Sequence, residues 1–223
     1  MNLMIVRSLL CGLLFFLGAC IYSCLNVVIY RVSKKESFGR GKSRYCKRRI
    51  GVRDALITLL GGVTLLYCMY QFETIGKALT IFAFFAILTV VTFLDIDTME
   101  IADGCHLAIL ILAVVSWFSM EGPGIGARLS GALCVSLPLL LITLVIPGAF
   151  GGGDIKLMAA CGLFLGWKIT LISTFLGFFF GGIWAAGLLL TGKAERKETF
   201  AFGPFLCLGM TLGLLYGQAI IFI

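Results

Sequence analysis

Long apolar runs recur along this chain with almost no charge inside them, and that pattern leaves few folds open. A helix crossing a bilayer needs about 20 mostly apolar residues to span a hydrocarbon core of about 30 Å. Read with that window, the chain contains eight runs, at approximately 5–29, 55–72, 78–95, 104–120, 128–147, 155–170, 172–191 and 204–222. Hydrocarbon offers no partner to a backbone N–H or C=O, so segments of this kind must bond internally as helices. The expected fold class is all-α integral membrane, a bundle of about eight transmembrane helices with short loops in one polytopic domain over 1–223. Composition agrees: 60% of the residues are hydrophobic and 13% charged, whereas soluble domains carry about a quarter charged. The first run is long for a secretory signal and lacks a small-residue cleavage site, so it reads as a span. Gly61, Gly62, Gly177, Gly181 and Gly182 fall inside runs, where small residues permit close helix packing.

The formal charge of +7 raises the question of a nucleic-acid partner, and the position of the charges answers it. Ten of the eighteen Lys and Arg lie between Arg31 and Arg53. A basic block beside an apolar run reads as a cytoplasmic loop facing anionic lipid, so no nucleic-acid partner is expected. With that loop (31–54) inside, the segments 95–103, 148–156 and 192–203 are inside too. Fourteen Lys and Arg then fall on the cytoplasmic side and four (Arg7, Lys77, Arg128 and Lys168) on the other, as the positive-inside rule expects. Of nine cysteines, eight lie in or beside apolar runs and read as small buried hydrophobes. Only Cys46 sits in a polar loop.

Acidic residues are scarce, which makes their placement informative. Of eleven, four crowd into Asp95, Asp97, Glu100 and Asp103. Asp95 closes the third run; Asp154 follows Gly151, Gly152 and Gly153 and opens the sixth. A carboxylate inside a span costs roughly 2.5–3.5 kcal/mol on insertion scales, so such residues usually face a cavity and act. The topology puts both on the cytoplasmic side at similar depth, making 90–160 the candidate catalytic aspartate region. Two carboxyl groups held close cannot both ionise comfortably and share a proton. One can then deprotonate a water while the other polarises a carbonyl, without metal or nucleophilic side chain. The glycines read as a place where φ is positive or another backbone comes close. Asp97, Glu100 and Asp103 also read as helix caps or a solvated loop, Lys156 as a positive-inside anchor, and His106 as an interface residue rather than a base.

Four segments carry a family resemblance. Gly151-Gly152-Gly153-Asp154-Ile155-Lys156 matches the GxGD-x-Lys pattern of the type IV prepilin peptidases, the GxGD aspartic proteases. Asp95 to Asp103 resembles their first aspartate motif, Cys24-Leu25-Asn26-Val27-Val28-Ile29-Tyr30-Arg31 the end of their first helix, and Phe202-Gly203-Pro204-Phe205 the start of their last. The resemblance implies a multi-pass protein of the bacterial plasma (inner) membrane with its active site facing the cytoplasm. It implies Asp95 and Asp154 as catalytic residues, with Gly151, Gly153 and Lys156 supporting them. The implied substrate is a prepilin or pseudopilin precursor, cut where a short basic leader meets an apolar helix. Asp97, Glu100 and Asp103 would attract that leader. No cofactor is implied for proteolysis. A second family activity, N-methylation of the new N-terminus with S-adenosylmethionine, enters by resemblance alone.

Two departures stand out. Ala102 takes the place of a usual proline, leaving the turn after Asp95 less rigid. Many bacterial members also carry two Cys-x-x-Cys pairs in the first loop, where this chain has only Cys46, so 31–54 reads as a reduced cytoplasmic module. The rival readings are a small ion- or proton-coupled transporter using the same aspartates and a non-catalytic assembly factor. A structural zinc needs about four ligands, usually in closely spaced pairs, and between Arg31 and Arg53 the chain offers one thiol, no histidine and one carboxylate, Glu36. Metal analysis of the purified protein is expected to find no stoichiometric zinc; zinc that disappears with Cys46→Ser would overturn this.

Overall fold

Each apolar run forms a helix in the computed structural model, which describes residues 2–34, 51–72, 74–119, 122–191 and 201–221. In chain order these are α1 (Asn2–Ser33), α2 (Val52–Gln71), α3 (Ile75–Thr98), α4 (Asp103–Ser119), α5 (Ile125–Val145), α6 (Gly152–Leu165), α7 (Trp167–Leu190) and α8 (Gly203–Ile221). No strand occurs among the described residues. Five helices, α1, α2, α3, α5 and α7, are long and apolar enough to cross a membrane, while α4 and α8 are shorter apolar helices. The sixth differs from expectation. The run read as 155–170 ends at Leu165, because Gly166 has φ 77 and its N–H turns back to the Gly162 carbonyl. Positive φ closes a helix readily only at glycine. At 14 residues, α6 covers about 21 Å, less than a full hydrocarbon core.

The chain forms two compact units, Met1–Val90 and Val91–Ile223. In the first, α1 lies against α2 through glycines. A Cβ at Gly18 would stand 2.8 Å from the Leu65 Cβ, and one at Gly62 would stand 2.6 Å from the Phe15 ring. Gly61 makes the same accommodation for Tyr22, whose ring also meets Phe82 at 5.7 Å. Asn26, from the segment Cys24–Arg31, donates to the buried Asp54 carboxylate at 3.0 Å. The other Asp54 oxygen accepts the Gly51 N–H at 3.0 Å and caps α2. This bond joins the end of α1 to the start of α2 on either side of the basic loop. Most of that loop, including Glu36 and Cys46, lies outside the described residues.

In the second unit, α5 packs on α6 and α7 on α8 by the same device. A Cβ at Gly131 would stand 2.5 Å from the Gly162 carbonyl oxygen, and one at Gly177 would stand 3.2 Å from the Leu206 Cα. Gly181 faces Phe202, whereas Gly182 meets nothing within 4 Å and has no packing role. Arg128 is 5% exposed, and among the described residues no carboxylate holds it. It donates to the carbonyls of Pro123, Ala113 and Leu163 and to the Ser116 hydroxyl, and it lies 5.5 Å from the Trp117 ring. A buried cation survives when its donors find acceptors in this way. Large exposed side chains such as Leu9, Phe16, Phe118, Leu144 and Trp184 form the kind of apolar surface that a membrane protein turns to lipid.

Candidate active site

Asp95 lies in the last turn of α3 and is 6% exposed. The helix stops just after it, at Met99, whose φ of 53 is unusual for a residue with a side chain. The Met99 N–H closes on the Asp95 carbonyl at 2.8 Å. A carboxylate buried this deeply needs a donor, and it has one from across the unit: the Gly203 N–H reaches Asp95 Oδ2 at 2.9 Å. Gly203 is the first residue of α8, where backbone N–H groups have no partner inside the helix and the dipole favours negative charge. Only glycine fits there, since a Cβ would stand 2.7 Å from that oxygen.

Asp154 lies in the first turn of α6, half-buried. The preceding glycines do not adopt positive φ, as the sequence had suggested. Gly151 is extended at φ −67, Gly152 and Gly153 are already helical, and positive φ among described glycines occurs at Gly148 and Gly166. The triplet starts a helix instead of bending a loop. What requires glycine is close approach: a Cβ at Gly151 would stand 3.2 Å from Asp154 Oδ2, and one at Gly153 would stand 3.3 Å from the Ile101 Cβ. Gly152 is open.

The two carboxylates lie in the same compact unit. Asp95 and Asp154 lie near enough to each other for their charges to interact. Each sits at the start of a helix, Asp95 on α8 and Asp154 on α6. Two carboxyl groups held within a few ångströms would share a proton and act as base and acid.

The remaining sequence candidates separate by position. Asp97 and Glu100 are exposed, Asp97 still within α3 and not in a loop. Asp103 is engaged: Lys156 Nζ donates to its carboxylate at 3.0 Å. That bond and charge hold the Asp103 carboxyl below its ordinary range, so it stays ionised at neutral pH. Lys156 therefore joins the start of α4 to the start of α6. His106 is buried, with Nε2 3.0 Å from the Gly153 carbonyl. The sequence reading also missed an aromatic cluster. Phe150, Phe178 and Phe202 meet with ring centroids 5.2–6.4 Å apart, linking the segment before Asp154 to the one before Gly203. Phe150 and Phe202 each adjoin a motif, but Phe178 lies in mid-helix and carries no local signal.

Among the described residues no group of three His, Cys, Asp or Glu is placed to hold a metal ion. Of the buried polar groups outside the aspartate pair, Asn26 is engaged with Asp54 and Arg128 with its carbonyls.

A multi-helix membrane protein with two carboxylates at helix starts has relatives of known class. The type IV leader peptidase family matches residues 82–186, which include both aspartates. The "Prepilin leader peptidase/N-methyltransferase" of Bacillus subtilis is 30% identical over 197 residues, covering 82% of this chain and 74% of that protein. The protein of the same name from Burkholderia pseudomallei is 34% identical, covering 80% and 59%, and that from Legionella pneumophila is 30% identical, covering 82% and 65%. No solved structure matches. The chain belongs to the type IV leader peptidase family. It spans less than two thirds of the Burkholderia and Legionella proteins.

The Asp95–Gly203 contact is directly testable. Gly203→Ala should destabilise the protein by about 1–3 kcal/mol through overpacking, read as a lower unfolding midpoint in detergent. In an Asp95→Ala background the same change should cost much less, because the two groups meet each other. Strictly additive losses would show that the contact does not form.

Proposed function

We propose that this protein is a membrane aspartic endopeptidase that removes the leader from type IV prepilin or pseudopilin precursors, with Asp95 and Asp154 as its catalytic pair. The observation that carries this reading is the placement of the two carboxylates in one unit, Asp95 on the Gly203 N–H and Asp154 on the first turn of α6. One carboxylate takes a proton from water as its oxygen attacks the scissile carbonyl. The other, protonated, gives its proton to the carbonyl oxygen. Collapse of the tetrahedral intermediate returns a proton to the leaving amine and expels it. Gly151 and Gly153 support the pair by letting the Asp154 carboxylate and Ile101 come close. Lys156 supports it by tying α6 to Asp103.

The fourteen-to-four distribution of Lys and Arg supports a cytoplasmic position for this end of the helices, where a basic leader would be presented. The printed names of the relatives support the substrate class and also mention methyl transfer. For this chain the peptidase is the activity its described residues favour. Cleavage also separates this reading from a transporter or an assembly factor, neither of which shortens a peptide.

In membranes mixed with a prepilin-like peptide, Asp95→Asn and Asp154→Asn should each lower the cleavage rate by about 10²–10⁴-fold while the protein remains inserted. Substantial turnover by either folded variant would remove the assignment. The acidic residues make a second, weaker claim. Asp97 and Glu100 are exposed, and Asp103 is ionised beside them. Neutralising all three to amides should raise KM for a basic leader and flatten its salt dependence. Unchanged KM and salt dependence would make the cluster a solvated surface only.

A further inference from the structure

The backbone that delivers Asp154 passes through three consecutive glycines, which have no side chains of their own to hold it. Glycine also has the most conformational freedom to lose. Something outside the triplet has to set its position, and the contacts to it come from the short segment that follows Asp95. Ile101 packs on Gly153, Asp103 pairs with Lys156, and His106 meets the Gly153 carbonyl. Ile101 supplies shape and the Asp103–Lys156 pair is exposed. His106 is the one buried, directional contact, 6% exposed and 3.0 Å from its acceptor.

We propose that His106 is a positioning residue of the peptidase: its Nε2–H, donated to the Gly153 carbonyl, fixes the helix start that aims Asp154 at Asp95. A carbonyl oxygen only accepts, so Nε2 must carry the proton. That holds for the neutral ring and for the imidazolium alike. The other nitrogen, Nδ1, is buried without a hydrogen bond and lies 3.7 Å from Asp103 Oδ1. That distance is an ion-pair contact only when the ring is protonated, and it is compatible with the same ring orientation. The Gly153 carbonyl belongs to the residue just before Asp154, so a small shift there moves the carboxylate directly. Misplacing a catalytic group by about 1 Å can cost about 10²-fold. His106 is also near Asp95 in the chain, so one short segment registers both halves of the site.

This rests on the peptidase reading for its activity readout, and a second readout does not. The discriminating variants are His106→Gln and His106→Asn. The Gln amide nitrogen reaches the place of Nε2, whereas the Asn amide reaches only that of Nδ1. His106→Asn and His106→Ala should lower kcat by about 10–100-fold with KM near its original value, and His106→Gln should return kcat to within a few-fold. Hydrogen–deuterium exchange of the peptide over 149–158, in purified protein, should rise in the Asn and Ala variants and stay near wild type in Gln. An Asn variant with full kcat and unchanged exchange overturns the proposal. So does a Gln variant as impaired as Asn, or a chain that folds with neither amide, which would make His106 merely structural. If the wild-type protein cleaves no prepilin-like peptide, the functional reading fails while the exchange pattern still decides the role of His106.

Discussion

Hydrocarbon cannot solvate a backbone amide or a charge, and each feature of this protein answers to that constraint. It makes every apolar run a helix, and it makes the helices meet through glycine, because lipid offers no hydrophobic drive for them to associate and close contact must supply it. It also accounts for the few polar groups inside. Arg128 spends its donors on three carbonyls and a hydroxyl, Asn26 holds Asp54, and Asp95 takes the Gly203 N–H. A polar side chain without such an arrangement would destabilise the protein by several kcal/mol.

The site uses the same solution for chemistry. A helix start has backbone N–H groups with no internal partner, so it can hold a carboxylate without a cationic side chain. Asp95 meets the start of α8 and Asp154 lies in the start of α6, so neither needs a salt bridge that would neutralise it. Lys156, the nearest basic candidate in sequence, is engaged with Asp103. The glycines around the pair are there for proximity: Gly203 and Gly151 each leave space that a carboxylate oxygen occupies. The aromatic contacts of Phe150, Phe178 and Phe202 then join the two supporting segments.

Family membership fits this economy. The region matched by the type IV leader peptidase family runs from within α3 into α7 and includes both aspartates. The chain is shorter than several relatives and keeps a single thiol in its first loop. The carboxylate pair and its supports, Gly151, Gly153, Lys156, His106 and Gly203, all lie beyond that loop.

Much of this was legible without a fold. The eight apolar runs predicted eight helices because length and hydropathy alone decide whether a segment satisfies its backbone in lipid. The scarcity of acidic residues drew attention to Asp95 and Asp154 because buried charge is rarely kept without use. Three things were not legible. The short α6 depends on φ at Gly166, and positive φ leaves no mark in an apolar run. The glycine triplet left two readings open because glycine suits both a strained turn and a close approach, and only the neighbour, Ile101 or the Asp154 carboxylate, tells which. His106, Gly203 and Phe178 act through partners 47, 108 and 28 residues away in the chain. Helix propensity and hydropathy are local properties of a sequence; which side chain meets which helix start is decided only when the helices pack.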